Sequence, residues 1–315
     1  MHWVYIPLFA AVLAGAAGLA VGNRLYGMAV AVGKKDFLST GESDSPQKEK
    51  DFWEEGRKWL ESVDKEPLEI VSTDGLHLRG LFLPPPLKDG RYAVLIHGYG
   101  TRGMEMGPFA RFYYEELKMG ILIPDNRGHG LSEGHYIGFG WHDREDVINW
   151  LNYLVKREGE PESIILHGIS MGGATVLMTS GEALPASVKA VVSDCAYTSA
   201  MEVLTHQLKT LFKLPAFPFI PLANFVTRLR AGYSLKQASA LEQVKKTRLP
   251  ILFIHGDADD FVPFSMMRPL YDAAGGPKGQ LVVAGAGHAQ AMQINGEAFK
   301  EGIRKFLEEN GIVKT

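Results

Sequence analysis

The sequence has a single cysteine and no cluster of charges of one sign. One cysteine among 315 residues, Cys195, excludes an intramolecular disulfide framework and a cysteine-rich metal site. Lysine and arginine are scattered and the formal net charge is −3, so the sequence does not predict a basic patch that would bind nucleic acid. The composition, 46% apolar, is that of a globular protein with a substantial core, in which Cys195 is expected to be a small buried residue.

Charged residues are also missing from the N-terminal stretch between Trp3 and Gly22. About 20 apolar residues match the ~30 Å hydrocarbon layer when helical, and no basic region precedes them as in a cleaved signal peptide. Residues 1–35 are therefore predicted to be a retained single-pass anchor in the cell membrane. Because basic residues follow the span, the catalytic body is expected on the cytoplasmic side, with the extracytoplasmic side as the alternative. Gly18 and Gly22 form a GxxxG pair, but this spacing is too common to predict an oligomeric state.

Residues 36–66 form a charged segment that precedes the main body of the chain. Phe52, Trp59, Leu60 and Val63 recur in it near helical spacing. This pattern predicts an amphipathic helix that docks on the main body, and the alternative is a solvated linker.

Residues 67–315 show the pattern of one α/β catalytic domain. Two leading apolar runs are followed by an alternation of strand-like runs and helical stretches, which predicts a mostly parallel central sheet flanked by helices. The helical stretches include Pro108 to Lys118 and Trp141 to Lys156. The eight candidate strands are Leu68 to Ser72, Leu76 to Leu83, Tyr92 to Ile96, Ile121 to Ile123, Ser163 to Leu166, Val188 to Val192, Pro250 to Ile254 and Gln280 to Val283.

One segment, from about residue 198 to 244, is too long for a single crossover between strands. It contains LPAFPFIPLANF, which is rich in proline and aromatic residues. We expect a helical cap that shields an apolar pocket, although for any one of its phenylalanines core packing is the better interpretation.

The stretch IILHGISMGG places Gly168-Ile169-Ser170-Met171-Gly172 between a predicted strand and a predicted helix. This is the setting of a GxSxG nucleophile elbow, in which a strained turn lifts a serine hydroxyl clear of the sheet. Glycines on either side relieve the crowding of that turn. The sequence therefore predicts Ser170 as a nucleophile.

A serine hydroxyl needs a base at neutral pH, and ten histidines compete for that role. His97, His167 and His255 each end a strand before a glycine, where a histidine usually packs or orients a loop. His288 follows the last strand in the flexible stretch GAGHAQA, so it can reach the carboxyl edge of the sheet. We therefore predict His288 as the general base.

A third group should hold the imidazole in one tautomer, and a carboxylate serves this purpose. The stretch IHGDADDFVP offers Asp257, Asp259 and Asp260, among which spacing alone does not choose. Adjacent carboxylates also suggest calcium, but the rest of an EF-hand loop is missing, so no metal site is predicted.

Together these motifs resemble the α/β-hydrolase superfamily, and within it the serine-aminopeptidase-like branch of bacterial esterases and lipases, which are often membrane-anchored. The resemblance runs from about Leu68 to the C-terminus. It is carried by IHGYG, DNRGHGLSEG, HGISMGG, HGDADDFVP and GAGHA, in that order. The order of Ser170, Asp259 and His288 along the chain also agrees with the superfamily.

The resemblance assigns roles that the residues alone leave open. The acid of the branch is the aspartate of HG-x-x-D-x-x-V-P, which falls on Asp259, with Asp257 as the fallback. The DNRGHG stretch that begins at Asp125 would be a structural turn beside the site. The backbone N–H groups of Tyr99 and Met171 would form the oxyanion hole.

The glycines in VLIHGYGTRG have the spacing of a dinucleotide-binding loop, and Asp125 mimics its ribose-binding acid. In a dinucleotide fold, however, an early strand leads in and the helix begins directly at the glycines. Here two strands precede and the next helix is expected only near Pro108. A hydrolase loop is the better interpretation, and no cofactor is predicted.

The sequence thus predicts a membrane-tethered serine hydrolase of carboxylic esters, with hydrophobic acyl esters as small-molecule substrates. A peptidase or amidase with the same three residues is the alternative, although a site for a free amino terminus should carry acids and the cap has only Glu202 between residues 198 and 241. A catalytically silent membrane scaffold is the remote alternative.

Overall fold

A computed structural model describes residues 5–33 and 47–313, and the side chains of all of these except residues 5–14 and 48. The predictions that concern Trp3, the last two residues of the predicted anchor (34–35) and the beginning of the charged segment lie outside the described residues. Within the described ranges, the centre of the molecule is an eight-stranded sheet.

The strands of this sheet follow the predicted runs to within a few residues. Their order across the sheet is β1-β2-β4-β3-β5-β6-β7-β8, in which β1 and β2 pair antiparallel and β3 to β8 run parallel. The prediction of a mostly parallel sheet is confirmed. The bounds are β1 (Glu66–Val71), β2 (His77–Leu83), β3 (Arg91–Ile96), β4 (Gly120–Pro124), β5 (Ser163–Ile169), β6 (Val188–Asp194), β7 (Ile251–Gly256) and β8 (Lys278–Val283).

Side chains along a strand point alternately to the two faces of the sheet, and a core cluster of buried residues covers each face. On β3, Val94 and Ile96 belong to one cluster, while Ala93 and Leu95 belong to the other. The helices that cover these faces are α2 (Gln47–Ser62), α3 (Gly107–Arg111, continued by a π-helical turn over Phe112–Glu116), α4 (Asp143–Glu158), α5 (Met171–Ser180), α9 (Met267–Ala273), α10 (Ala291–Ile294) and α11 (Gly296–Glu309).

The segment between β6 and β7 forms three helices rather than a single crossover. They are α6 (Ala200–Phe212), α7 (Phe219–Ala231) and α8 (Ala240–Val244). Ser199 begins α6 and Ser239 begins α8, and each serine hydroxyl accepts a backbone N–H of the first turn. We call residues 198–244 the cap.

The N-terminal helix α1 (Tyr5–Ala29) packs on the cap. Gly22 lies so close to α7 that a Cβ would be 2.8 Å from the carbonyl oxygen of Leu222, so the glycine pair serves a contact within the chain. At the end of the helix, Tyr26 and Val30 are buried in the core, and the backbone N–H of Ile137 donates to the Val30 carbonyl at 2.7 Å.

The prediction of a membrane-spanning helix is not borne out. Across residues 5–33 and 47–313, no helix has the combination of length and apolar character that a bilayer crossing requires.

Candidate active site

Ser170 lies on the tight turn that joins β5 to α5. Its backbone angles, φ 56° and ψ −117°, are rare for a residue with a side chain, and a packed neighbourhood has to hold them. A Cβ on Gly168 would be 2.1 Å from the Gly172 carbonyl oxygen, and one on Gly172 would be 2.0 Å from that of Ile96. Both positions of the GxSxG motif therefore require glycine, as the sequence indicates.

A chain of two hydrogen bonds joins Ser170 to His288 and Asp259. His288 Nε2 lies 2.8 Å from Ser170 Oγ, and His288 Nδ1 lies 2.8 Å from Asp259 Oδ2. Because a carboxylate only accepts, Nδ1 carries the hydrogen and Nε2 is left to accept the serine hydroxyl. The three residues come from the ends of β5, β7 and β8 at the carboxyl edge of the sheet, where sites of open α/β sheets lie.

Asp259 has a buried carboxylate that is surrounded by donors. Its side chain is fully buried, and its Oδ1 accepts the backbone N–H groups of Phe261 and Val262 at 3.1 and 2.9 Å. Burial favours the neutral acid, but the hydrogen bonds from His255 and His288 outweigh it and hold the pKa of Asp259 at about 2. This carboxylate is therefore ionised at neutral pH and suited to orient an imidazole.

The neighbouring aspartates take other roles. Asp257 is exposed, and its Oδ1 accepts the backbone N–H of Gly285 at 2.7 Å, which ties the loops after β7 and β8 together. Asp260 contributes its backbone carbonyl, which lies 2.7 Å from Nε2 of His206. Among the three candidates that the sequence leaves open, Asp259 is the aspartate that contacts His288.

Tyr99 and Met171, the two residues named for the oxyanion hole, line the same pocket as Ser170. Met171 is the first residue of α5, where a backbone N–H has no partner within its own helix. The loop that carries Tyr99 is held by His97, whose Nε2 accepts the backbone N–H of Asn126 at 3.0 Å. Burial lowers the pKa of His97 to about 3, so this imidazole stays neutral and keeps that acceptor.

The turn that begins at Asp125 holds loops beside the site through hydrogen bonds to their backbone. Asp125 Oδ1 accepts the backbone N–H of Gly103 and its Oδ2 accepts that of Leu131, at 2.7 and 2.8 Å. Arg127 is almost fully buried and forms a bidentate salt bridge with Asp146. Its Nε donates to Oδ2 at 2.6 Å and its Nη2 donates to Oδ1 at 2.7 Å. This stretch therefore holds loops in place and supplies no group to the hydrogen bonds that join Ser170, His288 and Asp259.

Two residues at the end of β6 adjoin the site, although the sequence predicts no role there for either. Asp194 and Cys195 are both buried. The Cys195 sulfur, a carboxylate oxygen of Asp259 and a ring nitrogen of His288 lie within 4.8 Å of one another. Three such atoms could hold a metal ion, but here Asp259 and His288 use theirs to bind each other.

An apolar pocket opens above Ser170 between the sheet and the cap. Its space is about 910 Å³ when the open mouth is counted, and its walls are almost entirely hydrocarbon. Val203, Leu208, Leu211 and Phe212 of α6 form one wall, and Ile220 and Ala223 of α7 form another. The cap therefore encloses an apolar pocket, as its composition predicts.

The end of the N-terminal helix contributes a further wall of this pocket, which the sequence did not indicate. Leu25, Met28, Ala29 and Val30 line the pocket, and the hydroxyl of Tyr99 donates to the Ala29 carbonyl at 2.7 Å. The end of α1 is therefore joined by a hydrogen bond to Tyr99, a predicted oxyanion donor.

Comparison with known proteins shows the family to which the chain belongs. Residues 93–301, about two thirds of the chain, match the alpha/beta hydrolase family, and the chain belongs to that family. It is similar to an uncharacterized protein of Bacillus subtilis, YqkD, with 28% identity over 79% of this chain and 81% of that protein.

Solved structures share the fold at lower identity. The Pyrococcus furiosus esterase Pf2001 is 21% identical, with a TM-score of 0.63 over 79% of this chain and 93% of the esterase chain. A Pyrococcus horikoshii acylaminoacyl peptidase is 19% identical, with a TM-score of 0.56 over 80% of this chain and 43% of that chain. Both likenesses concern the fold.

Proposed function

We propose that this alpha/beta hydrolase cleaves carboxylic esters through an acyl-enzyme on Ser170. His288 Nε2 takes the hydroxyl proton as Ser170 Oγ attacks the carbonyl carbon, and then gives that proton to the leaving alcohol. Water activated by His288 releases the acid. The observation that carries the proposal is the pair of 2.8 Å contacts that join Ser170, His288 and Asp259.

The backbone N–H groups of Tyr99 and Met171 are proposed to stabilise the oxyanion. Each would act where negative charge develops, and removing one such donor typically costs ~10²–10³ in rate. Asp259 keeps the imidazole aligned and stabilises its charged form. The pKa of about 2 supports this role, because Asp259 stays ionised across the working range of such an enzyme.

The walls of the pocket support hydrophobic acyl esters as the substrate class. An alkyl chain that enters the space between the cap and Ser170 meets hydrocarbon side chains from α1, α6 and α7. Each methylene buried there would contribute about 0.8 kcal/mol. A fatty-acyl ester fits a pocket with such walls better than a charged substrate does.

A peptidase or amidase that uses the same three residues is the second candidate, and it follows from the resemblance to the serine-aminopeptidase-like branch. Recognition of a free amino terminus needs a carboxylate in the pocket, and no acidic side chain occurs among its lining residues. This observation favours the esters. Membership of that branch stays part of the proposal.

A panel of p-nitrophenyl esters from acetate to decanoate, with matching p-nitroanilides, tests the proposal. The full chain should hydrolyse the esters and favour the longer ones, and Ser170→Ala should reduce kcat by about 10⁴ or more. Faster cleavage of the anilides would favour the amidase. Equal activity of Ser170→Ala would overturn the use of Ser170.

The location of the chain at the cell membrane stays a prediction from the composition of its N-terminal segment. Reporter domains fused after residue 50 would report on which side, if either, the body of the protein lies. Recovery of the full chain in the soluble fraction of cells would contradict the membrane location.

A further inference from the structure

The outer side of the cap exposes large apolar side chains. Where side chains are described, Phe212, Phe217 and Phe225 are the exposed phenylalanines of the chain, and Leu211 and Leu229 are exposed beside them. Phe217 is 78% exposed and Leu229 is 67% exposed. We call these five residues the cap face. Large apolar side chains gathered on a surface mark an interaction site more often than scattered ones do.

The arrangement on α7 shows that this exposure is built into the helix. Ile220, Ala223 and Val226 are buried and turn toward the pocket and the core. Phe225 and Leu229 lie one helical turn apart, so they share one side of the helix, and that side is exposed. The helix therefore has two apolar sides, and the side chains that the structure describes cover one of them.

The stretch of sequence that carries the cap face has basic side chains and no acidic ones. Between Val203 and Leu241 the chain has five lysines and arginines and no aspartate or glutamate, although the whole protein carries −3. Lys209, Lys213 and Arg228 are exposed next to the apolar side chains in sequence. A surface that combines phenylalanine and leucine with cations is complementary to a layer of anionic headgroups over hydrocarbon.

The cap face also adjoins the opening of the apolar pocket. Leu211 and Phe212 are exposed and at the same time line the space that begins at Ser170. An acyl chain that leaves a bilayer at this point could enter the pocket without crossing water. This continuity connects the surface to the chemistry below it.

We propose that the cap face is a docking surface for an anionic phospholipid bilayer. The apolar side chains enter the boundary between headgroups and acyl chains, and the cations of α6 and α7 pair with lipid phosphates. Docking requires no chemistry at Ser170, so it goes beyond the proposed function and can fail independently of it. Ser170→Ala is expected to bind vesicles as the unchanged chain does.

Vesicle flotation with the full chain tests the apolar part of the surface. Vesicles of phosphatidylcholine mixed with phosphatidylglycerol should bind the chain, and Phe225→Ser/Leu229→Ser should weaken that binding about tenfold or more, because two large apolar side chains no longer leave water on docking. The control is Leu131→Ser/Ile294→Ser, which changes two exposed apolar residues outside the cap. Equal binding by the two double variants would overturn the proposal.

Charge reversal tests the cationic part. Lys213→Glu/Arg228→Glu should weaken binding to the mixed vesicles at least fivefold for each charge, because each cation near such a surface contributes about 1 kcal/mol. Binding to phosphatidylcholine alone should change little, and added salt should reduce the difference. Lys88→Glu/Lys305→Glu is the control. An equal loss in both variants would show that total charge, and not the cap face, decides binding.

A fluorophore places the contact directly, even where the double variants fold poorly. Cys195 is buried, so an environment-sensitive dye can be attached to Leu229→Cys, with Leu131→Cys as the control. On addition of mixed vesicles, the dye at 229 should shift to the blue and the dye at 131 should not. A shift at 131 alone would contradict the proposal. Light scattering that shows a dimer dissolved by Leu229→Ser would assign the face to a second copy and overturn it.

Discussion

His255 and His288 contact the same carboxylate oxygen of Asp259. His255 Nε2 lies 3.2 Å from Asp259 Oδ2 and 2.9 Å from the carbonyl oxygen of Val262, while His288 Nδ1 lies 2.8 Å from the same Oδ2. A carbonyl only accepts, so His255 carries its hydrogen on Nε2. His255 therefore positions the acid, which in turn positions the imidazole that contacts Ser170.

We predict that His255→Leu lowers kcat by about 10- to 100-fold. Loss of a hydrogen bond to a buried charge costs roughly 1.5–3 kcal/mol, and 1.36 kcal/mol corresponds to a factor of ten. His255→Gln, which offers an amide N–H at a similar reach, should restore most of the rate. Steady-state kinetics on one ester measures both variants. Equal kcat values in the two would show that His255 serves packing alone.

The wall that α1 contributes to the pocket should set the preferred acyl length. In the unchanged chain, kcat/KM should rise by up to about fourfold for each added methylene until the pocket is full. Met28→Trp should move the maximum to a shorter acyl chain, because the added ring fills space in the pocket that a long acyl chain would occupy. Met28→Leu conserves volume and serves as the control. An unchanged profile in Met28→Trp would remove α1 from the substrate site.

The contact between α1 and α7 can be tested with two glycines of one helix. A Cβ on Gly22 would meet the Leu222 carbonyl oxygen at 2.8 Å, whereas a Cβ on Gly27 would meet nothing within 4 Å. Alanine is the better helix former, so Gly27→Ala should stabilise the protein by up to about 1 kcal/mol. Gly22→Ala should lower Tm instead. Thermal unfolding measures both, and a rise in Tm for Gly22→Ala would show that α1 does not pack there.

Asp194 gives the stability a pH dependence of predictable sign. Burial raises the pKa of Asp194 to about 7, well above the value of an aspartate in an unfolded chain. The folded state therefore holds a proton that the unfolded state has lost, so stability falls as the pH rises from about 4 through 7.

Asp194→Asn should remove this dependence. It should match the unchanged chain near pH 4 and exceed its stability by roughly 2–4 kcal/mol at pH 8. Asp64→Asn, at an exposed position, is the control. Urea unfolding at the two pH values measures the difference. A variant that is less stable than the unchanged chain at pH 8 would show that the Asp194 carboxylate is ionised and stabilising there.

The sheet and the residues around Ser170 could be predicted because local rules govern them. Apolar runs of strand length, glycine at two crowded positions and a serine between a strand and a helix are each determined within about ten residues. The choice of Asp259 over Asp257 needed a resemblance to known sequences. Asp257 and Asp259 are the same residue type two positions apart, so they differ only in the loop atoms that their carboxylates contact. Asp259 is the one that accepts the backbone N–H groups of Phe261 and Val262.

The N-terminal helix shows what hydropathy alone does not predict. The apolar composition of residues 1–35 predicted a membrane span, but it did not predict the contact that Gly22 makes with Leu222 on α7. The part that Met28 takes in the pocket wall was hidden for the same reason, because it depends on contacts between segments far apart in the chain. His255 lies only four residues before Asp259, but the sequence did not show that its ring nitrogen contacts that carboxylate.

Intact-mass spectrometry after reaction with a fluorophosphonate tests most directly that Ser170 is the activated nucleophile. We expect one adduct per chain, mapped to Ser170 by peptide sequencing. Labelling should be absent in Ser170→Ala and slower by about 10³-fold or more in His288→Ala and Asp259→Asn. An adduct on any other residue, or labelling at full rate without the imidazole of His288, would contradict it.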